Sequence, residues 1–249
     1  MINPRVSIIT VTFNAEKVLE RTLESIRRQN YDNIECIIVD GASSDDTMKI
    51  VEKYSDIVTK SISEKDEGLY FAMNKGLELA TGDYLWFLNA GDMINDSEIL
   101  NYFFSKETHY RDVYFGQTLI VDEKGNRIGS RRLKPNIDTD WRDFKWGMLI
   151  CHQSILVKKS IAPNFDTRYK IAADYAWVLE SLKRAKDKCG TRRYISSFLS
   201  GGLSSDNYFK ANKERFLIMK EYFGLIPSLW YNFLIIFRFV YTVGRYKRI

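Results

Sequence analysis

The chain has 249 residues, 45% hydrophobic and 28% charged, which suits one large α/β domain or a domain with an extension. The sequence contains no repeat and no low-complexity stretch. The formal charge of +5 favours anionic partners without identifying one, and no nucleic-acid partner is expected. Three scattered cysteines without metal-type spacing and no visible secretory signal indicate a cytosolic protein with reduced thiols.

The first hundred residues alternate between strand and helix patterns. Short β-branched or apolar runs predict strands at residues 6–11, 36–39, 57–58 and 84–88. Apolar residues at helical spacing predict helices at residues 15–28 and at Leu69–Leu79. Between them, a turn at residues 41–47 leads into a short helix that ends near residue 54, and Ser43 and Ser44 are expected to cap this helix. This alternation predicts a parallel sheet with helices on both faces.

The pattern then changes to one typical of antiparallel strands. Residues 113–121 predict a long strand, and a hairpin-like turn at 122–126 leads to its return. Residues 134–146 have no clear period and predict a loop. Further segments are predicted as a strand at 154–157, a helix at 173–185, a strand at 194–199 and a helix at Tyr208–Phe223.

The chain therefore divides into three parts. Residues 1–100 form the parallel part, and residues 101–223 form the antiparallel part of the same domain. Residues 224–249 form a helical tail that is apolar and aromatic, ends with Arg245, Lys247 and Arg248, and follows the last acidic residue, Glu221. The apolar run is shorter than the ~20 residues that span a bilayer. It favours an amphipathic helix on a membrane surface, and the alternative is a helix that closes the core or contacts a second subunit.

Polar side chains follow three of the predicted strands. Asn14, Asp40 and Asp92 come directly after strands whose carboxyl ends meet at one sheet edge, where such sheets bind ligands. A carboxylate at Asp40 can accept hydrogen bonds from a nucleobase or a ribose hydroxyl. Phe13 could stack on the base or pack in the core, and Asp92 can hold a hard divalent cation.

Four ordered motifs carry a family resemblance: residues 6–14 (VSIITVTFN), 35–47 (ECIIVDGASSDDT), 64–76 (EKDEGLYFAMNKG) and 80–92 (ATGDYLWFLNAGD). Together they resemble the inverting family 2 glycosyltransferases, a large bacterial group with a GT-A-type nucleotide-sugar fold. Weaker matches follow at residues 151–153, 165–166 and 171–175. The resemblance ends near Phe223.

The resemblance implies a UDP-sugar donor, a divalent cation (Mg²⁺ or Mn²⁺) and an acceptor hydroxyl. It implies that residues 1–100 form the nucleotide-sugar-binding half, and that residues 101–223 form the acceptor-binding and catalytic half of the same domain. The residues that it places around the nucleotide are Thr12, Phe13, Asn14, Asp40, Asp66, Asn89, Ala90 and Gly91. The metal ligands that it implies are Asp92 and His152, with a satisfied core histidine as the alternative for His152. Asn89 and Gly91 replace carboxylates common in the family, which leaves Asp92 as the charged ligand and the donor diphosphate to complete the shell.

By the family pattern, Asp174 is the base that takes the acceptor proton as the oxygen attacks opposite the leaving diphosphate. The alternative is an ordinary first-turn acid of the predicted helix.

The resemblance implies that a hexose or N-acetylhexosamine is transferred to a glycan during surface polysaccharide synthesis at the cytoplasmic membrane face. If the tail binds membrane, the glycan acceptor is expected to be lipid-linked. A noncatalytic nucleotide-sugar-binding module is the alternative, and self-association stays open. A nucleotidyltransferase is rejected because residues 12–15 are not a glycine-rich basic loop.

Overall fold

The computed structural model describes residues 3–105, 109–201 and 207–246. The strands that these residues form are β1 (Val6–Thr12), β2 (Ile34–Asp40), β3 (Val58–Ser63), β4 (Tyr84–Phe87), β5 (Met93–Ile94), β6 (Val113–Val121), β7 (Arg127–Ser130), β8 (Ile155–Lys158) and β9 (Lys188–Leu199). The helices are α1 (Leu19–Arg27), α2 (Thr47–Lys53), α3 (Leu69–Leu79), α4 (Ile99–Phe104), α5 (Ala173–Arg184), α6 (Tyr208–Phe223) and α7 (Leu225–Tyr246). Short 3₁₀ helices span Trp141–Trp146 and His152–Ser154.

All nine strands join one mixed sheet in the order β3-β2-β1-β4-β8-β6-β9-β5, with β7 beside β6. β3, β2, β1 and β4 are parallel neighbours, whereas β8 runs antiparallel to both β4 and β6. The predicted α/β class, with a parallel first part and an antiparallel addition, is confirmed. The sheet is continuous across residue 100, and the division into two functional halves stays a prediction.

The sheet separates two apolar cores because side chains alternate along each strand. In β1, Ile9 and Val11 face α3, α5 and α6, whereas Val6 and Ile8 face α1, α2 and α4. Each of these fully buried side chains contributes about 1.5–3 kcal/mol of transfer free energy. The β-branched run that predicts a strand thus also fixes which face each helix covers.

Three local features differ from the sequence prediction. β5 and α4 are absent from the prediction. β5 has only two residues and depends on its pairing with β9. The strand predicted at 194–199 begins earlier, at Lys188, because β9 pairs along most of β6. The segment predicted as a loop contains the Trp141–Trp146 helix, which is stabilised by a capping box between Asp140 and Asp143.

A buried carboxylate ties the amino ends of three strands together. Glu35 of β2 is wholly buried and accepts hydrogen bonds from the Ser7 hydroxyl, the Thr81 amide (2.7 Å) and the Thr81 hydroxyl (2.8 Å). The Lys60 ammonium lies 3.2 Å from its Oε1. Burial alone would raise the pKa of Glu35, but these hydrogen bonds outweigh it and lower that pKa to about 2.

We expect this carboxylate to make folding stability pH-dependent. Since the folded pKa is depressed from its ordinary value of 4.5, the stabilisation is present above pH 4.5 and is lost as pH falls toward 2. Glu35→Gln should therefore lower the free energy of unfolding by about 3 kcal/mol at pH 7, and this difference from wild type should shrink below pH 4.5. Urea unfolding of wild type and Glu35→Gln between pH 7 and pH 3 measures this difference in the free energy of unfolding. Glu67→Gln, at an exposed position, is the control and should unfold like wild type. A difference that does not depend on pH would contradict the assignment.

Candidate active site

The carboxyl ends of β1, β2 and β4 meet at one edge of the sheet. β1 lies between the other two and runs parallel to both, and Thr12 at its end is paired with Asp40 at the end of β2. After β4, the amide of Ala90 donates to the carbonyl oxygen of Val11 at 3.1 Å, which keeps this segment beside β1. Segments that are far apart in sequence therefore share the edge at which such sheets bind ligands.

Phe13 and Asp66 lie together against Gly41. A Cβ atom at Gly41 would lie 2.9 Å from Asp66 Oδ2 and 3.3 Å from Phe13 Cδ2, so a larger residue would push these side chains away. The Phe13 ring is 63% exposed and does not pack in the core, which was the alternative considered for it. A flat aromatic surface beside a carboxylate is well suited to a nucleobase.

Asp40 is wholly buried at the end of β2. Its carboxylate accepts hydrogen bonds from the Ser43 amide (2.9 Å), the Ser43 hydroxyl and the Ser63 hydroxyl (2.6 Å). These bonds connect the loop after β2 to the end of β3. The carboxylate therefore has a fixed orientation in the absence of any ligand.

Asn14 holds the same loop from the end of β1. Its backbone adopts φ +47°, a left-handed conformation that asparagine tolerates well. Its Oδ1 accepts from the Ser44 amide at 2.9 Å, and its own amide donates to Ser43 Oγ at 2.8 Å. The prediction that Ser43 and Ser44 cap α2 is wrong, because these hydroxyls bind Asp40 and Asn14 and the α2 N-cap has no side-chain hydrogen bond.

The loop after β4 is anchored by helix α1. Gly91 has φ +98°, and its amide donates to Thr22 Oγ1 at 2.8 Å. Its carbonyl oxygen accepts from Arg21 Nε at 2.9 Å, and Arg21 also donates to the carbonyl oxygens of Asp122 and Glu123 in the β6–β7 turn. Arg21 was missed in the sequence because a single basic residue on an amphipathic helix usually faces solvent.

Asp92 is 4% exposed and has partners on both carboxylate oxygens. Oδ2 accepts from Gln153 Nε2 at 3.0 Å, and Oδ1 accepts from the Leu199 amide at 3.1 Å. Burial raises the pKa of Asp92 to about 6, although the Leu199 amide, Gln153 and Arg21 favour its ionised form. These contacts bring the ends of β4 and β9 and the second 3₁₀ helix to one point.

The residues present fit a divalent cation that is held mainly by a substrate. Among residues 3–105, 109–201 and 207–246, no group of three His, Cys, Asp or Glu side chains could hold a metal ion. However, Asn89 Oδ1 and Thr12 Oγ1 are buried without a hydrogen-bond partner in that part of the chain, and such an atom costs about 1–3 kcal/mol. Asn89 Oδ1 and the nearby Asp92 carboxylate are oxygen ligands of the kind that Mg²⁺ combines with phosphates and water.

His152 connects the loop after β4 to the start of α5. Its Nδ1 lies 3.2 Å from Asp174 Oδ2, and its Nε2 lies 3.2 Å from Asn89 Nδ2. A proton on Nδ1 satisfies both contacts, because His152 then donates to the carboxylate and accepts from the amide. Both ring nitrogens thus have protein partners.

Asp174 lies in the first turn of α5, with 19% of its side chain exposed. Its Oδ1 accepts from the Tyr175 amide at 2.8 Å and from the Tyr70 hydroxyl at 3.3 Å. Burial disfavours the charged form, but the hydrogen bond from His152, the charge of Arg215 and the Tyr175 amide outweigh it and hold the pKa of Asp174 below its ordinary value. The carboxylate is therefore ionised at neutral pH and can accept a proton.

A residue that the sequence did not single out fixes the start of α5. Glu214 of α6 is 8% exposed and accepts hydrogen bonds from three successive backbone amides, at Lys170 (3.1 Å), Ile171 (2.8 Å) and Ala172 (2.9 Å). No side chain caps α5 at its own N-cap, Ala172. Glu214 supplies that function from another helix, and its negative charge suits a helix amino end.

The structure thus brings the predicted site residues into two groups at one sheet edge. The first, around the end of β2, contains Thr12, Phe13, Asn14, Asp40 and Asp66. The second, around the loop after β4, contains Asn89, Ala90, Gly91, Asp92, His152 and Asp174.

Residues 7–162 match the family model described as "Glycosyl transferase family 2". The chain belongs to glycosyltransferase family 2. A PGL/p-HBAD biosynthesis glycosyltransferase of Mycobacterium tuberculosis is 33% identical over 184 residues, which cover 70% of this chain and 68% of the relative. An uncharacterized glycosyltransferase of Haemophilus influenzae is 31% identical over 241 residues, which cover 92% and 93%. This chain is therefore a transferase enzyme, which disfavours the alternative of a noncatalytic nucleotide-sugar-binding module.

Solved structures show the same fold. Staphylococcus aureus TarS 1-349 superposes with a TM-score of 0.66 at 19% identity, covering 87% of this chain and 65% of that one, so the family 2 chain spans about two thirds of it. The same TarS fragment in complex with UDP-GlcNAc gives a TM-score of 0.65. The mannosyltransferase PcManGT from Pyrobaculum calidifontis, in complex with GDP-Man and Mn²⁺, gives 0.64 at 16% identity, with 93% of this chain and 70% of that one covered. The predicted GT-A-type fold is confirmed.

Proposed function

We propose that this glycosyltransferase moves a hexose or N-acetylhexosamine from a UDP-sugar to a glycan hydroxyl, with inversion at the anomeric carbon. The observation that carries the proposal is the contact series Asn89–His152–Asp174. It places an ionised carboxylate beside the loop after β4, at the sheet edge that also holds Phe13 and Asp40. A base and a nucleotide-binding surface at one edge are what transfer from a nucleotide sugar requires.

The donor's nucleoside is proposed to lie against the first group of residues. The exposed Phe13 ring offers a stacking surface, and Asp66 lies beside it across Gly41. Ser43 and Ser63 hold the Asp40 carboxylate in place, and it is proposed to accept a hydrogen bond from the ribose or the base. The likeness to TarS in complex with UDP-GlcNAc supports a uridine nucleotide as the first choice to test.

In the proposed reaction, Asp174 accepts the proton of the acceptor hydroxyl. The acceptor oxygen forms a bond to the anomeric carbon as the bond from that carbon to the diphosphate oxygen breaks, and the bonding electrons leave with UDP. His152 donates to Asp174 Oδ2 and keeps the carboxylate pointed at the site. Because attack and departure occur on opposite faces of the sugar, the configuration inverts.

A cation would neutralise the charge that develops on the leaving diphosphate. Asp92 and Asn89 Oδ1 are the ligands that the chain would provide, with phosphate oxygens completing the shell. The likeness to PcManGT in complex with Mn²⁺ supports testing Mn²⁺ beside Mg²⁺. His152 as a ligand stays a prediction, because its Nε2 reaches a cation only if Asn89 turns away.

The proposal is tested by measuring UDP release from a panel of UDP-sugars with Mn²⁺ or Mg²⁺ and mixed glycan acceptors. We expect one UDP-sugar to raise the melting temperature, because it binds the folded state only, and to be turned over with an acceptor. NMR of the product's anomeric proton reports inversion. Binding of UDP-sugars without any turnover across the panel would contradict the proposed transferase reaction.

Helix α7 is proposed to hold the enzyme peripherally on the cytoplasmic face of a membrane. No helix in the described part of the chain is both long and apolar enough to span a bilayer. One side of α7 packs on the domain, through Ser228, Tyr231 and Asn232. The opposite side exposes large apolar side chains at helical spacing: Ile226, Leu229, Trp230, Phe233 and Phe237. Three basic residues follow this stripe in the sequence, Arg245, Lys247 and Arg248, of which Lys247 and Arg248 lie outside the described residues.

An exposed apolar stripe followed by basic residues matches a surface of anionic lipid. We expect the purified protein to sediment with vesicles that contain phosphatidylglycerol, and the triple variant Trp230→Ala, Phe233→Ala, Phe237→Ala to stay in the supernatant. Ile128→Ala, at another exposed apolar position, is the control and should bind like wild type. Equal sedimentation of the triple variant, or a wild-type dimer that buries this stripe, would contradict membrane binding.

A further inference from the structure

A cavity of about 340 Å³ lies in the segment between β7 and β8. Its volume is at the lower end of the range for small-molecule sites. The lining residues used below are Lys134, Asn136, Asp138, Thr139, Asp143 and Trp146. None of them belongs to the nucleotide group or to the Asn89–His152–Asp174 series.

The lining combines unused polar side chains with an aromatic ring. The side chains of Asn136 and Asp138 make no hydrogen bond to other described residues, and both residues are exposed. The backbone that carries them is fixed, because the Asn136 amide donates to Thr139 Oγ1 at 2.8 Å. Lys134 Nζ donates to the Tyr194 hydroxyl at 3.0 Å. An amide and a carboxylate together can bind hydroxyl groups as donor and acceptor.

Trp146 gives this cavity an apolar wall. Its ring packs edge-on against Tyr231 of α7, with ring centroids 4.8 Å apart. Pyranose rings have an apolar C–H face and a rim of hydroxyls, so a cavity with one aromatic wall and free polar groups suits a saccharide better than a purely apolar or ionic ligand.

The short helix that forms part of the cavity wall contacts the helix that carries the proposed base. Phe144 lies between the lining residues Asp143 and Trp146, and its carbonyl oxygen accepts a hydrogen bond from the Tyr175 hydroxyl at 2.6 Å. Tyr175 follows Asp174, and its amide donates to that carboxylate at 2.8 Å. The same short helix therefore contacts both α5, which carries the base, and α7, which carries the exposed apolar stripe.

We propose that this cavity binds the saccharide part of the acceptor, with Trp146 against the sugar face and with Asn136 and Asp138 bound to its hydroxyls. This inference rests on the proposed transfer reaction for its biological meaning. It adds a location: the acceptor sugar lies on the short helix that contacts both α5 and α7, so a lipid attached to that sugar can follow α7 to the membrane surface.

The test uses simple saccharide probes, because the natural acceptor is not identified. Saturation-transfer NMR with methyl glycosides of glucose, mannose, galactose and N-acetylglucosamine should give signals with wild-type protein for at least one probe. Trp146→Ala and Asp138→Asn should each weaken that binding roughly 10-fold, in line with loss of one good contact. Arg142→Ala lies on the same short helix with its side chain 70% exposed and outside the lining, and it should bind like wild type.

Kinetics separate this inference from the proposed function. Asp138→Asn should raise KM for the acceptor about 10-fold while UDP release in the absence of acceptor and KM for the UDP-sugar stay unchanged. The exposed position of Asp138 keeps the test valid if Trp146→Ala fails to fold. Wild-type protein that binds no probe, or an Asp138→Asn variant that binds the probe and acceptor as wild type does, overturns the inference. If wild type instead never releases UDP, the proposed function fails, whereas probe binding at the cavity can still be read.

Discussion

Replacing Asp174 with asparagine is expected to lower kcat by roughly 10²- to 10⁴-fold, the usual contribution of a general base. Asparagine has nearly the same shape and can still accept from the Tyr175 amide, but it cannot take a proton. The donor's nucleotide is proposed to lie on the group around Phe13 and Asp40, so the variant should keep its affinity for UDP. Single-turnover kinetics with the best UDP-sugar, and the rise in melting temperature with UDP, measure the two effects.

The matched control for this variant is Glu180→Gln, which lies on the same helix but binds Arg184 and Tyr222 away from the site. It should transfer sugar at the wild-type rate. Tyr70→Phe removes the hydrogen bonds from the Tyr70 hydroxyl to the Ile171 carbonyl oxygen at 2.7 Å and to Asp174 at 3.3 Å, and it should lower kcat much less than Asp174→Asn does, because the base itself is kept. An Asp174→Asn variant within a few-fold of wild-type kcat would show that another group accepts the proton.

Replacing Glu214 with glutamine is expected to lower the free energy of unfolding by about 3 kcal/mol and kcat by roughly 10- to 100-fold. The carboxylate accepts from three backbone amides ahead of α5, and an amide side chain would point an N–H group at one or more of them. The start of α5, with Asp174 in its first turn, would then shift. Binding of UDP and KM for the UDP-sugar should change little, because the hydrogen bonds of Glu214 within the described chain go to the amides of residues 170–172, outside the nucleotide group.

Hydrogen exchange gives this prediction a local readout, since the amides of residues 170–172 should exchange faster in Glu214→Gln than in wild type. Glu221→Gln is the matched control, because Glu221 lies on the same helix and has a side chain that is 48% exposed. It accepts from the Tyr169 hydroxyl at 2.9 Å and lies 3.7 Å from Arg168, and it binds none of the amides at 170–172 among the described contacts. Unchanged exchange at residues 170–172, or a kcat that falls no more than in the control, would contradict a positioning role for Glu214.

Much of the first half of the fold could be predicted from local pattern. The run of β-branched residues in β1 and the apolar residues at helical spacing in α3 identify their own element types, because burial on both faces of a strand or on one face of a helix leaves that pattern in the sequence. The helix Leu69–Leu79 and the helix Tyr208–Phe223 have the bounds that the sequence predicted. β5 could not be predicted in the same way, since a two-residue strand depends on its partner β9, which lies about a hundred residues further along the chain.

The sequence by itself determined the order of the motifs, and so the family, the α/β class and the strand ends that carry Asn14, Asp40 and Asp92. Only the tertiary structure decided what those side chains touch. It paired His152 with Asn89 and Asp174, buried Asp92 against Gln153, and made Glu214 the cap of α5. The reason is physical: secondary structure follows from neighbours in sequence, whereas hydrogen bonds between distant segments depend on how helices pack on the sheet.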